Sequence, residues 1–132
     1  MTHTDHTIVR SFIAGWFARF DRLEPVDAFL SDLHPQVGWD MMDADRTLSG
    51  HDRVRSWYQG VLNTFQAPTE HHVSDIEIGE GKVSFTVLFR ASTFDGTTVE
   101  ANVREHWRFD TRPDGRPLIT TYTAQLLEKA TE

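Results

Sequence analysis

The sequence predicts an α+β domain in which three N-terminal helices pack on a curved, mostly antiparallel sheet. Two observations carry this expectation. Apolar residues recur at spacings of three and four as far as Phe65, and beyond Pro68 they alternate at every second position to Leu127. Helical periodicity followed by strand periodicity, with a turn signal between successive strands, is the pattern of helices laid on one face of an antiparallel meander. A chain of 132 residues is one domain of ordinary size. Its expected limits are 8–127, with 1–7 a flexible lead and 128–132 a tail.

Ile8, Val9, Phe12, Ile13, Trp16, Phe17 and Phe20 predict an amphipathic first helix. Pro25 suits the first turn of a second, shorter helix carrying Val26, Phe29, Leu30 and Leu33. His34-Pro35 ends it, Val37–Met41 reads as a short strand, and the polar stretch Asp43–Leu48 reads as a loop. Ser49 is placed to cap a third helix, with Asp52 three residues on and an apolar stripe from Val54 to Phe65. Pro68 is expected to end it. Strands are then expected at about His71–Ile78, Val83–Ala91, Val99–Phe109 and Leu118–Leu127. Gly79–Gly81, Asp95-Gly96 and Pro113–Pro117 supply the turns.

Composition removes several function classes. A formal net charge of −7 opposes nucleic-acid binding, which needs clustered Lys and Arg. The absence of cysteine excludes disulfides, thiolate chemistry and Cys-based metal sites. The first seven residues lack the apolar stretch of a secretory leader, and no apolar run approaches the roughly 20 residues of a membrane span. A cytoplasmic protein without membrane partners is the expectation.

The strand from Val99 to Phe109 is the most informative stretch. Its odd positions are apolar (Val99, Ala101, Val103, Trp107, Phe109) except for Glu105, and its even positions are Glu100, Asn102, Arg104, His106 and Arg108. Period-two alternation turns the odd set inward. A carboxylate on an inward face is costly unless it is protonated, paired or facing a cavity. Glu105 is therefore expected to look into a pocket, either as a proton donor or acceptor or as a structural acid paired with an arginine or a tyrosine.

These elements, in this order, resemble the nuclear transport factor 2-like superfamily, a cone-shaped α+β barrel, and within it the SnoaL-like branch. The resemblance runs from about Ile8 to Leu126. It rests on Leu48–Val54, on Glu105-His-Trp-Arg-Phe109 and on Gly115-Arg-Pro-Leu-Ile119. The superfamily holds isomerases, cyclases, dehydratases, epoxide hydrolases and non-catalytic binding modules, so fold alone does not select a chemistry. Similarity to ketosteroid isomerases places their oxyanion-hole acid at Glu105 and their general base at or beside Asp40, while their first-helix tyrosine falls on Phe12, which has no hydroxyl. Epoxide hydrolases of the superfamily would need a second acid at about Ala124. The histidines of scytalone dehydratase fall near His71 or His72 and near Val87.

The candidate catalytic residues are Glu105, His72 and Asp40. His72 shares the parity of the apolar Ile76 and Ile78, whereas His71 shares that of Asp75 and Glu77. Asp40 alternates with apolar Trp39 and Met41, which turns it outward unless a bulge intervenes. The helices are expected to bring Phe12, Trp16 and Tyr58 to a ligand pocket. The strands are expected to bring Trp39, Phe85, Val87, Val103, Trp107 and Tyr122. No metal site or cofactor is expected: no His-Glu-x-x-His motif is present, and Gly79 and Gly81 precede no helix that could cradle a phosphate.

The expected function is cofactor-independent acid/base chemistry on a small hydrophobic cyclic molecule. A non-catalytic binding or dimerisation module of the same fold is the alternative. The resemblance also implies a homodimer formed through the outward face of the Glu105 strand or its neighbour.

Overall fold

The computed structural model describes residues 4–40 and 48–128. Helix α1 (His6–Asp21) begins two residues before the expected Ile8, inside the segment expected to be a flexible lead. Asp5 caps it by accepting from the backbone N–H groups of Thr7 (2.9 Å) and Ile8 (3.1 Å), two of the donors a helix start leaves open. Gly81 N–H also donates to the Thr4 hydroxyl at 3.0 Å, tying the lead to the sheet.

After α1 come α2 (Asp27–Leu30), β1 (Leu33–Asp40), β2 (Leu48–Ser49) and α3 (Gly50–Thr64). The meander follows as β3 (Phe65–Gly79), β4 (Lys82–Thr93), β5 (Thr98–Thr111) and β6 (Pro117–Glu128). The six strands form one sheet in the order β2-β1-β6-β5-β4-β3. β1 and β6 run parallel, and the other neighbours run antiparallel. Of the expected loop 43–48 only Leu48 is described, and it pairs with Trp39 in β2. Met41 lies outside the described residues. Ser49, expected as a helix cap, is the last residue of β2 and stands directly before α3, in the cap position. No described helix is long and apolar enough to cross a membrane.

Two prolines fall inside strands rather than ending helices. Pro35 lies in β1, where the pairing with β6 changes register between Leu33 and Gly38. Pro68 lies in β3, an edge strand whose register shifts between Gln66 and Glu70. Edges and irregular positions tolerate a residue without an N–H, so proline was a poor marker of where these strands begin.

A second irregularity in β3 decides which side chains face inward. Between Ser74 and Glu77 the register slips by one residue, and Asp75 adopts φ of 54°. His71 and Val73 lie opposite Phe89 and Val87, but beyond the bulge Ile78 lies opposite Val83. The inward side is therefore odd-numbered before the bulge and even-numbered after it.

Much of the space between helices and sheet is filled with aromatic rings. Trp16, Trp39, Trp107, Phe29 and Phe85 are fully buried, each contributing on the order of 2–3 kcal/mol through burial. Trp16 meets Phe29 and Trp107 edge-on at 5.2 and 5.7 Å, and Trp39 stacks on Tyr122 at 4.4 Å. The β5–β6 hairpin closes on α1 at Gly115, whose φ is 88° and where a Cβ would stand 2.8 Å from Ile8 Cδ1.

An ionic clamp joins α1, the entry to β1 and the β5–β6 hairpin. Buried Asp32 takes Arg19 at 2.9 Å, Arg112 at 2.8 Å and Arg116 at 3.4 Å. Arg19 also donates to the Ala28 carbonyl, and its guanidinium lies 5.5 Å from the Trp16 ring centre. The Gly115–Ile119 motif is thus explained by closure of the domain.

Candidate functional site

Where the aromatic core stops, a cavity of about 580 Å³ opens between α1, α3 and the inner face of β3 to β6. This volume is in the range of small-molecule pockets. Glu105 lines it from the middle of β5. Strand pairing sets the small Ala124 directly across on β6 and Phe85 across on β4. Tyr122, one inward position along β6 and opposite Trp107, lines it too.

Glu105 is 5% exposed and has no cation for a partner among the described residues. Trp107 Nε1 donates to its Oε1 at 3.1 Å. Burial pushes its carboxyl up to about 7, and hydrogen bonding from Tyr122 and Trp107 offsets part of that rise. Burial and the adjacent Glu105 push the Tyr122 phenol well above its ordinary value, so it is held as a neutral O–H. At neutral pH the Glu105 carboxyl is poised to give or take a proton.

The second titratable group is His71. Its side chain is 13% exposed, lines the cavity and stacks on Phe17 at 4.8 Å. Its Nδ1 lies 2.6 Å from Asp21 Oδ1, which also accepts from the Thr69 hydroxyl at 3.0 Å. A neutral imidazole that donates from Nδ1 to a carboxylate carries its lone pair on Nε2. Asp21 thus fixes both the ring and the tautomer that can accept a proton.

His72 is corrected by these positions. It is 60% exposed on the outer face and bonds Glu70 at 2.9 Å. The bulge at Asp75 separates it from Ile76 and Ile78, so parity read backward from those residues selects the wrong histidine. Asp40 keeps the parity of its strand: Trp39 is buried, Asp40 is half-buried on the opposite face, and it does not line the cavity. Of the expected pocket residues, Val87, Val103 and Tyr122 line the cavity. Phe12, Trp16, Trp39, Tyr58, Phe85 and Trp107 belong instead to the packed core beside it. Tyr58 directs its hydroxyl to the Glu24 carbonyl at 2.5 Å.

Asp21 and Thr69 were not anticipated. A usable signal for Asp21 exists: it lies four residues after Phe17 on the apolar stripe of α1, in the last turn, where the helix dipole disfavours a negative charge. Among the described residues no cluster of three or more His, Asp and Glu is placed to hold a metal ion.

No family model matches the chain, and no curated protein matches it. Solved structures do. A candidate aromatic ring hydroxylase from Novosphingobium aromaticivorans aligns over 94% of this chain and 90% of its own, with TM-score 0.83 and 18% identity. SalBIII, an epoxide hydrolase/cyclase-like enzyme of pyran ring formation in salinomycin, aligns over 94% of both chains, with TM-score 0.74 and 13% identity. An NTF2-like protein of unknown function from Burkholderia pseudomallei aligns over 89% of both, with TM-score 0.71 and 18% identity. The chain has the cone-shaped α+β fold of the nuclear transport factor 2-like proteins, and at these identities the likeness establishes the fold alone.

Proposed function

We propose that the protein is a cofactor-independent enzyme that moves protons on a small hydrophobic ring compound, by isomerisation, cyclisation or dehydration. The observation that carries this reading is that two titratable groups of different character line one largely apolar cavity, one toward each end of it. His71, oriented by Asp21, is the base. Glu105, with a carboxyl near 7 and Tyr122 beside it, is the acid that meets charge developing on a substrate oxygen.

In such a step His71 Nε2 takes a proton from an activated C–H of the substrate. The electron pair moves through the conjugated system toward an oxygen, where Glu105 delivers its proton. Return of the His71 proton to another carbon, as the enol gives its proton back to Glu105, completes an isomerisation; in a dehydration the electron pair instead expels a hydroxyl group, which takes the Glu105 proton and leaves as water. His71 and Glu105 stand two strands and four register positions apart, since His71 pairs with Phe89 and Glu105 with Phe85 on β4. That is about 13 Å along the strand and about 10 Å across before the sheet curves. The two groups therefore address opposite ends of a ligand. Epoxide opening of the type that needs two acids is disfavoured, because Ala124 stands across from Glu105.

The test is a thermal-shift and turnover screen of the wild type, Glu105→Gln and His71→Asn against cyclic ketones, lactones, epoxides and aromatic polyketide-like compounds. The expected result is a compound class that stabilises the wild type and is consumed by it, with turnover lost in both variants. Binding without turnover across the whole class would favour the non-catalytic binding module. The outward face of β5, from Asn102 to Arg108, is further proposed to pair with a second copy; a monomer in light scattering at micromolar concentration would contradict that.

A further inference from the structure

The charge of the ligand is legible in what the cavity lacks. None of the described residues lining it is lysine or arginine. Its inward ionisable side chains are Glu105, Tyr122 and His71, the last paired with Asp21, while Glu100 belongs to the outward set of β5. Glu100 is engaged by Arg90 at 2.6 Å, and Arg90 is not part of the lining. Much of the remaining wall is aromatic and aliphatic, including Phe17, Phe20, Trp57, Phe65 and Phe89. The wall formed by β3 to β6 is strand backbone whose N–H groups belong largely to the sheet ladders.

An anion entering this space would leave water, find no lysine or arginine among the described lining residues and lie close to the Glu105 carboxyl, an arrangement in which burying a charge is unfavourable. An uncharged oxygen meets the opposite situation, because the Tyr122 hydroxyl and a protonated Glu105 can both donate to it.

We propose, resting on the catalytic reading above, that the cavity selects by charge: its substrate is an uncharged ring compound bearing no carboxylate, phosphate or sulfate and no phosphate-bearing carrier arm. The reaction that supplies it must therefore either release the ring compound from any such carrier or never have attached one. An acidic group created in the reaction would weaken the hold of the cavity on its product.

Three probes of matched shape test this: 2-acetylnaphthalene, 2-naphthoate and 2-naphthyl phosphate, titrated calorimetrically at pH 7.5 into the wild type and Val99→Lys. Val99 lines the cavity near the start of β5, so a lysine there introduces the missing cation without touching His71 or Glu105. The ketone is expected to bind, the carboxylate at least 100-fold more weakly, and the phosphate not at all. Val99→Lys is expected to recover at least tenfold in naphthoate affinity. Naphthoate or naphthyl phosphate within tenfold of the ketone would overturn the proposal. So would a folded Val99→Lys that binds the ketone without gaining naphthoate, or a wild type that binds none of the three. Charge selection without turnover of any uncharged compound removes the catalytic reading and leaves this one standing. Turnover of an anionic compound in the same cavity does the reverse.

Discussion

Asp32 and Glu105 are buried to nearly the same degree, 2% and 5% exposed, and their surroundings are opposite. Asp32 is held by three guanidiniums drawn from α1 and the β5–β6 hairpin. Glu105 meets an indole, a phenol and a cavity, with its carboxyl pushed up to about 7. One acid is surrounded by charge that joins three parts of the chain. The other lines a cavity with no counter-ion among the described residues. Burial alone does not separate Asp32, a structural acid, from Glu105, the acid proposed to act on a ligand; the partners do.

The sharpest way to break this contrast is at the cavity. Replacing His71 with Asn is expected to lower turnover of the preferred ring compound by about two to four orders of magnitude, as removal of a general base does. Its melting temperature should shift far less than that of Asp32→Asn. Steady-state kinetics beside a thermal melt checks both, and a variant that loses only stability would place His71 with Asp32 as a structural group.

Asp32→Asn comes next. It leaves three arginines facing one another without their acid, and a loss of about 3 kcal/mol is expected, on the order of 10 °C in melting temperature. The partial exposure of the arginines keeps the figure below that of a fully buried triad. Denaturant unfolding measures it, and a change under about 0.5 kcal/mol would show that the clamp contributes little.

Glu105→Gln should act in the other direction at alkaline pH. The native carboxyl holds its proton up to about 7, against an ordinary 4.5, so between these values the folded protein binds more protons than the unfolded chain. This group's contribution is complete below about 4.5 and is lost as pH rises to about 7, about 3 kcal/mol in all. The glutamine variant lacks that slope and is expected to be more stable than wild type by about 2 kcal/mol at pH 8, with little difference at pH 5. Parallel pH profiles for the two proteins would contradict the assignment. The smallest effect is reserved for His72→Ala, expected to change turnover less than twofold and stability by under about 0.5 kcal/mol. A larger loss of turnover would reopen the choice between the two histidines.

Much of the fold was legible because periodicity reports which face is buried, and β5 reports it cleanly: its alternation runs unbroken from Val99 to Phe109 and isolates Glu105 as the one inward acid. β3 was read wrongly for a physical reason. A single extra residue at Asp75 inverts the parity of everything upstream, and nothing in Val73–Ile78 announces it apart from a Ser-Asp pair that tolerates turn-like geometry. Residues that depend on tertiary approach, such as Asp21 reaching His71 fifty positions away, leave only indirect traces in a sequence. The six expected pocket residues that became core failed for a related reason. An inward side chain is readable from alternation, but whether it meets another ring or empty space depends on how the helices fill the cone.

The central claim is that Glu105 is a buried acid without a cation, facing a space that a ligand can enter. A ¹³C-detected NMR titration of the glutamate carboxyls, with Glu105 assigned by its absence in Glu105→Gln, tests it directly. A midpoint near 7 that moves when an uncharged ring ketone binds is the predicted result. A midpoint near 4.5, unmoved by such ligands, would mean that water or a cation already serves this carboxylate, and the account of the site would be wrong.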